Sequence, residues 1–275
     1  MSKIKLVMVD LDGTILLDHK NFTDNTKKAI EKLLDAGIEV VPTTGRYYNG
    51  IPDYFTNHQK IKYIVSSNGA LISNNTSKRG ISEQNIDQLK AIEILKQAHK
   101  EADHAFIVTN KGVIMNKERY FDEGEIDDEF MKKFYEDRFI VDDILKHVKE
   151  NKLTIKKIEF HFEDLDQRNK FHELFSSFEN INTVSSNELN IEITSKSASK
   201  GEALHFLKDY LGLSQKETMA IGDSENDISM LKEAGISVVM GNATDSVKAF
   251  GDKITKSYLE DGFSAIISEI FKFEL

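Results

Sequence analysis

The sequence predicts an α/β fold: a parallel β-sheet core interrupted by a smaller α+β domain. Three observations carry that expectation. From Ile4 to Ser82, short and almost wholly apolar strands alternate with amphipathic helices, the mark of a sheet covered on both faces. Between about Glu83 and Glu192 the helices lengthen and the strands alternate apolar with polar residues. Ile158-Glu159-Phe160-His161-Phe162-Glu163 shows the period of a sheet with one buried face. From Ser199 the first pattern returns.

Ile4–Val9 reads as the first strand. Thr23 caps the helix after it, Ala29, Ile30, Leu33 and Leu34 share one face, and Gly37 stops it. Ile38–Val41 is a second strand, running into Pro42-Thr43-Thr44-Gly45-Arg46, and Tyr63–Val65 a third, running into Ser66-Ser67-Asn68-Gly69. Ile86–Lys100 and Gln167–Phe178 read as helices of the middle stretch, and the acidic run Asp122–Glu129 as a solvated loop or helix start. Lys200-Gly201 opens a helix carrying Ala203, Leu204, Leu207 and Leu211. Met219–Ile221 is a strand ending in Gly222-Asp223, and Ser237–Met240 another, ending in Gly241-Asn242. Between them a helix places Ile228, Leu231 and Ala234 on one face, with Gly235 as its stop. The expected boundaries are 1–82 and 193–275 for the core and 83–192 for the insertion.

Composition narrows the classes of function. The chain has 275 residues, 40% hydrophobic and 30% charged, with ample material for a core. It has no cysteine, so disulfides, thiolate ligands and a cysteine nucleophile are excluded, which fits a reducing compartment. The N-terminal apolar run is too short for a signal-peptide core, and no segment approaches the ~20 apolar residues that span a bilayer. A cytoplasmic protein without membrane contact is expected. A net charge of −10, with no Lys/Arg stripe interleaved with aromatics, argues against nucleic-acid binding. The same acidity repels a phosphorylated ligand at long range, so such a ligand needs local positive charge, most simply a divalent cation. Oligomeric state is not written in any pattern of the chain.

Two carboxylates, Asp10 and Asp12, stand at the end of the first apolar strand. Residues two apart in a strand point to the same side, so the pair projects together if the backbone stays extended, and Gly13 lets the chain turn away. Alone, Asp-Gly reads as an Asx-type turn. However, Gly222-Asp223-Ser224-Glu225-Asn226-Asp227 places two more acids and an amide where another strand hands over to a helix. In an open parallel sheet ligands bind outside the carboxyl ends of the strands. Asp10, Asp12, Asp223 and Asp227 converge there if both strands share one sheet, and several carboxylates in one crevice need a hard cation, with Mg²⁺ favoured because no calcium loop is present. Thr44-Gly45 and Lys200, at further strand and helix ends, supply phosphate partners, a set suited to phosphoryl transfer.

Taken in order, Asp10-Leu11-Asp12-Gly13-Thr14, Thr44-Gly45-Arg46, Ser199-Lys200-Gly201 and Gly222-Asp223-Ser224-Glu225-Asn226-Asp227 resemble the four motifs of the haloacid dehalogenase superfamily. Within it the chain resembles the Cof-like, type IIB phosphatases. Ser67-Asn68-Gly69-Ala70, Met240-Gly241-Asn242-Ala243 and Glu260-Asp261-Gly262 extend the resemblance over almost the whole chain. The resemblance implies a Rossmann-like parallel-sheet core with an inserted α+β cap of type C2B. It also implies Mg²⁺-dependent hydrolysis of small phosphorylated metabolites, such as sugar phosphates, through an aspartyl phosphate. Carried over by position, Asp10 is the nucleophile and Asp12 the acid/base, its backbone carbonyl on the metal. Asp223 is a metal ligand and Asp227 a ligand or its support. Thr44 and Lys200 bind the transferring oxygens, and Lys200 also orients Asp10. Asn226 reaches the phosphate or the metal shell, while Gly45, Arg46 and Asn68 contact phosphate or substrate. Pro42 and Thr43 precede Thr44-Gly45-Arg46 where a small residue such as Ala is usual, so the second-motif role goes to Thr44, with Thr43 as the alternative.

The core motifs do not separate hydrolysis from transfer to another acceptor, so a phosphotransferase or phosphomutase of the same superfamily stands beside the phosphatase. A non-enzymatic phospho-switch fits less well, since receiver domains are much shorter, have no cap, and have no use for Asp12. The inserted domain is expected to close over the crevice, exclude water and read the leaving group. Glu159, His161 and Glu163 read first as a solvated sheet face and second as a face turned toward the ligand.

Overall fold

Leu6–Val9 is apolar at every position because both of its faces are covered. In the computed structural model, which describes residues 4–117 and 138–274, the chain forms two units: Met1–Ser82 with Ser199–Leu275, and Glu83–Ala198. The first segment holds β1 (Leu6–Val9), α1 (Asp24–Asp35), β2 (Glu39–Pro42), α2 (Asp53–Thr56), β3 (Tyr63–Ser66), β4 (Leu71–Asn74) and β5 (Arg79–Glu83). The middle holds α3 (Gln88–Ala98), β6 (His104–Thr109), β7 (Gly112–Asn116), β8 (Arg138–Val141), α4 (Ile144–Glu150), β9 (Ile155–His161), α5 (Leu165–Ser176), β10 (Ile181–Val184) and β11 (Asn190–Ser195). The last holds α6 (Lys200–Tyr210), β12 (Thr218–Gly222), α7 (Ile228–Glu233), β13 (Ile236–Val239), α8 (Asp245–Lys248), β14 (Lys253–Ile254) and α9 (Gly262–Phe271). The acidic run Asp122–Glu129 lies outside the described residues.

The first unit is built on a sheet of order β14-β13-β12-β1-β2, every pairing parallel. A bridge between Thr43 and Val65 joins β3 to it, and β3 continues into the three-stranded sheet β3-β4-β5. Alternate residues of one strand serve opposite cores. Val7, Val9, Met219 and Ile221 pack with Ala29, Ile30 and Leu33 of α1 and Ile266 and Ile267 of α9. Leu6, Met8 and Ala220 pack with Ala203, Leu204 and Leu207 of α6 and Met230 and Leu231 of α7. Each large aliphatic side chain so buried contributes ~1.5–3 kcal/mol, which is why both parities of these strands are dominated by apolar residues. Thr23 caps α1 by accepting the Thr26 N–H at 3.0 Å, and Gly37 follows the helix with φ +77°. Gly235 stops α7 for a different reason than a left-handed turn: a Cβ there would lie 2.2 Å from the Gln215 carbonyl oxygen.

The second unit is a six-stranded sheet of order β10-β11-β9-β6-β7-β8, antiparallel except for the β7–β8 pair. Ile158 and Phe160 of β9 share a core with Ile94 and Leu95 of α3, Ile144 and Val148 of α4, and Phe171 and Phe175 of α5. The insertion ends later than the expected 192. Asn190–Thr194 pairs along β9 and Ile181–Val184 along β11, so the ladder carries the chain in this unit through Ala198. The polar side of β9 also differs from a plain solvated face. Lys157 Nζ lies 2.6 Å from Glu159 and 3.2 Å from Glu192, and Glu159 lies 2.6 Å from His161 Nε2. Lys157 and Glu192 are buried, because Glu192 stands opposite Glu159 on the neighbouring strand and the pair encloses the ammonium. Glu163, past the end of β9, is exposed.

Candidate active site

The carboxyl ends of β1, β2 and β12 lie along one edge of the parallel sheet. The Asp10 N–H donates to the Ile221 carbonyl at 2.9 Å on one side, and the Thr43 N–H to the Val9 carbonyl at 2.8 Å on the other. This is the edge where open α/β sheets receive ligands. Asp10 follows β1, Asp223 follows β12, and Asp227 precedes α7. One carboxylate oxygen from each of the three lies within 4.8 Å of the others.

Lys200 joins this cluster from the first position of α6. Its side chain is fully buried, and Nζ lies 2.5 Å from Asp10 Oδ1, 2.6 Å from Asp227 Oδ1 and 3.4 Å from Asn226 Oδ1. An ammonium has three hydrogens, and here it meets three oxygens. Burial pushes the Lys200 ammonium down, but Asp10 and Asp227 together outweigh it and hold the group above its ordinary value. Burial pushes the Asp10 carboxyl well up; Lys200 opposes the rise, and the charges of Asp227, Asp223 and Asp12 add to it. Asp223 is pushed up to about 7 by burial first and by Asp227 second, with the Thr14 hydroxyl pulling it back. Three buried or half-buried carboxylates against one ammonium leave negative charge that the site disfavours, and a set of hard oxygen donors fits a divalent cation of the Mg²⁺ type.

Local sequence explains how the carboxylates are aimed. Asp227 Oδ2 accepts the N–H groups of Asp223 and Ser224, both at 2.9 Å, so one carboxylate both closes the turn after β12 and receives Lys200. Gly222 makes room for it: a Cβ there would lie 2.4 Å from Asp227 Cγ. Asp223 accepts Thr14 Oγ1 at 2.8 Å, Ser224 Oγ at 3.2 Å and Asn242 Nδ2 at 3.2 Å. Asn242 Nδ2 also donates to the Gly13 carbonyl at 3.0 Å. Thr14 and Asn242 are functional neighbours that the sequence reading gave no role. Each sits inside a quoted motif at a strand end, which was the available signal, but which carboxylate they hold depends on how distant strands pair.

The remaining expected residues divide. Thr44 is buried past the end of β2, and its Oγ1 accepts the Arg46 N–H at 3.1 Å, with Gly45 between them in the same turn. The alternative, Thr43, donates its hydroxyl back to the Val41 carbonyl at 3.1 Å. Asn68 bonds through its N–H to the Thr44 carbonyl at 3.0 Å, and its Oδ1 accepts Asn226 Nδ2 at 3.2 Å. Asn68 and Asn226 are therefore gathered beside Lys200, while the Asp12 carboxylate is outside the three-carboxylate cluster. Arg46, expected at phosphate or substrate, engages Asp12 at 2.5 and 2.8 Å and the carbonyls of His19 and Gly50. Asp12 follows β1 and Arg46 follows the adjacent β2, which brings their side chains together. Asp261, in the last quoted motif, serves structure, holding Thr23 and Asn25 at the start of α1.

No helix among the described residues is long and apolar enough to cross a membrane. Residues 7–267 match the family model of haloacid dehalogenase-like hydrolases. A 5-amino-6-(5-phospho-D-ribitylamino)uracil phosphatase of Bacillus subtilis is 29% identical over 264 residues, covering 96% of this chain and 94% of its own. The solved structure of a haloacid dehalogenase-like hydrolase from B. subtilis superposes with a TM-score of 0.81 at 25% identity, covering 97% of this chain and all of its own. A sugar phosphatase of subclass IIB shares the fold, with a TM-score of 0.79 at 22% identity over 98% of this chain and 100% of its own. The ordered motifs, the edge on which they meet and these relatives agree, and the chain belongs to the haloacid dehalogenase-like hydrolases, among their phosphatases.

Proposed function

We propose that the protein is a Mg²⁺-dependent phosphatase of small phosphorylated metabolites that works through an aspartyl phosphate on Asp10. The observation that carries this reading is the Asp10 carboxylate, buried at the end of β1 and held 2.5 Å from the Lys200 ammonium within the Asp10–Asp223–Asp227 cluster. Asp10, Asp223 and, more remotely, Asp227 would hold the cation together with the Asp12 carbonyl, and a cation bound there cancels repulsion between carboxylate and phosphate.

A carboxylate oxygen of Asp10 forms the bond to phosphorus as the bond from phosphorus to the leaving oxygen breaks, and Asp12 gives that oxygen its proton. Asp12, now a carboxylate, takes a proton from a water whose oxygen attacks the same phosphorus. The bond from phosphorus to Asp10 then breaks and inorganic phosphate leaves. Lys200 keeps Asp10 oriented and sets a positive charge beside the transferring oxygens, and Thr44, with Asn226 and Asn68 close to Lys200, lines the same end of the sheet. The inserted unit is assigned the choice of leaving group. Small phosphate monoesters are the proposed class because the phosphatase relative from B. subtilis acts on one.

Purified protein should release phosphate from p-nitrophenyl phosphate, lose that activity to EDTA and regain it with Mg²⁺. Asp10→Asn keeps the shape of the side chain and replaces the charged, nucleophilic carboxylate with a neutral amide, so turnover should fall to background. Turnover retained by this variant, in a preparation free of other phosphatases, would falsify the assignment of the nucleophile.

A further inference from the structure

We infer that Arg46 is the positioning residue for Asp12, an assignment that rests on the acid/base role proposed above. Arg46 Nε lies 2.8 Å from Asp12 Oδ2 and Nη2 lies 2.5 Å from Oδ1, a two-pronged contact on one carboxylate. Such a fork fixes both the plane and the direction of the carboxylate, which a point charge does not. Among the described residues, the hydrogen bonds to the Asp12 side-chain oxygens come from Arg46.

The guanidinium is the anchored partner of the two. Nη1 donates to the His19 carbonyl at 2.7 Å and to the Gly50 carbonyl at 3.0 Å, so its second edge is held by backbone on both flanks. The Arg46 side chain is 12% exposed against 51% for Asp12. An exposed ion pair of two free chains gains little, but here one member is already fixed and the other is aimed by it. The Arg46 N–H also bonds Thr44 Oγ1 at 3.1 Å, so one residue links the threonine after β2 to the acid after β1. Arg46 thus sets where the proton of Asp12 is delivered.

This role has a kinetic signature that a phosphate contact lacks. A general acid matters most when the departing oxygen is strongly basic, and hardly at all when it leaves as a stable phenolate. Steady-state kinetics of the wild-type, Asp12→Ala, Arg46→Ala and Arg46→Lys enzymes with Mg²⁺ should therefore be compared across 2,4-dinitrophenyl phosphate, p-nitrophenyl phosphate, phenyl phosphate and an alkyl phosphate. Asp12→Ala should lose on the order of 10²–10⁴-fold in kcat on the alkyl ester and far less on the dinitrophenyl ester. Both Arg46 variants should follow the same ordering, with kcat losses at least about tenfold larger on the alkyl than on the dinitrophenyl ester. Arg46→Lys keeps the charge without the fork, and decides the matter if Arg46→Ala does not fold. Equal losses on all four esters, or a rise in KM alone, with Asp12→Ala still sensitive to the leaving group, overturns the positioning role. Equal losses in Asp12→Ala overturn the acid/base assignment instead, and the inference with it.

Discussion

Gly13 meets two requirements at once. Its φ of +77° lies where an L-residue is strained, and a Cβ would stand 2.5 Å from Asp223 Oδ2. The turn after β1 is therefore matched to the carboxylate arriving from β12, 210 positions along the chain. Thr14 completes the match by donating to Asp223 Oδ1 at 2.8 Å. It supports the proposed cation through a carboxylate without itself being a ligand, and partners of that kind are worth about 10–100-fold in metal affinity. Thr14→Val is expected to weaken Mg²⁺ binding by about that factor with little change in fold. A Mg²⁺ titration of activity, read beside the unfolding midpoint, checks it; unchanged half-saturation would remove Thr14 from the site.

At the scale of elements, the start of α6 is the busiest junction. Ser199 caps it by accepting the Glu202 N–H at 3.0 Å, and Lys200 opens it. The turn Ser67-Asn68-Gly69 has positive φ at all three residues and presses against the same start: a Cβ on Gly69 would lie 2.2 Å from the Ser199 carbonyl oxygen. Gly69→Ala should move that turn off α6, costing roughly 1–3 kcal/mol in urea unfolding and lowering kcat, because Asn68, Asn226 and Lys200 lose their register. A second element, the turn Gln215–Glu217 before β12, gives a pH dependence. Glu217 is lowered to about 2, chiefly by Lys5 and then by the backbone and hydroxyl of Ser214. A depressed carboxyl contributes stability that is present above its unfolded value, near 4.5, and disappears as pH falls through the folded one. Wild type should thus exceed Glu217→Gln in urea midpoint at neutral pH, and the two curves should meet toward pH ~2. Parallel curves across that range would refute the linkage.

For the whole molecule, the decisive property is how each unit closes its core. The unit Glu83–Ala198 is one continuous segment, and among the described residues its core draws on residues between Ile86 and Ile193. The other unit is closed by two segments, since β1 and β2 pair with β12 from beyond the insertion. A fragment of residues 83–198 should therefore fold alone, with a cooperative urea transition and dispersed amide resonances. Residues 1–82 alone should not, because they lack β12 beside β1, the α6 and α7 helices that cover Leu6 and Met8, and α9, which packs with α1 over Val7 and Val9. A fragment 83–198 without a cooperative transition would contradict the division of cores.

The parallel core, the interruption and the return to the core were legible in the sequence, because strands covered on both faces admit only apolar residues and helices must repeat every third or fourth position. Asp10, Lys200, Asp223 and Asp227 were legible as residues of one strand-end cluster, since Asp10 and Asp223 stand where a strand stops, Asp227 before a helix and Lys200 at the first position of one. Other features depended on tertiary structure: Thr14 and Asn242 holding Asp223, Arg46 meeting Asp12, the pairing of Lys157 with two glutamates, and the end of the insertion at Ala198. Periodicity reports which face of an element is buried and nothing about which remote side chain lies opposite. Hydrogen-bond partners are chosen by strand order and register, and those exist only once the chain has closed upon itself.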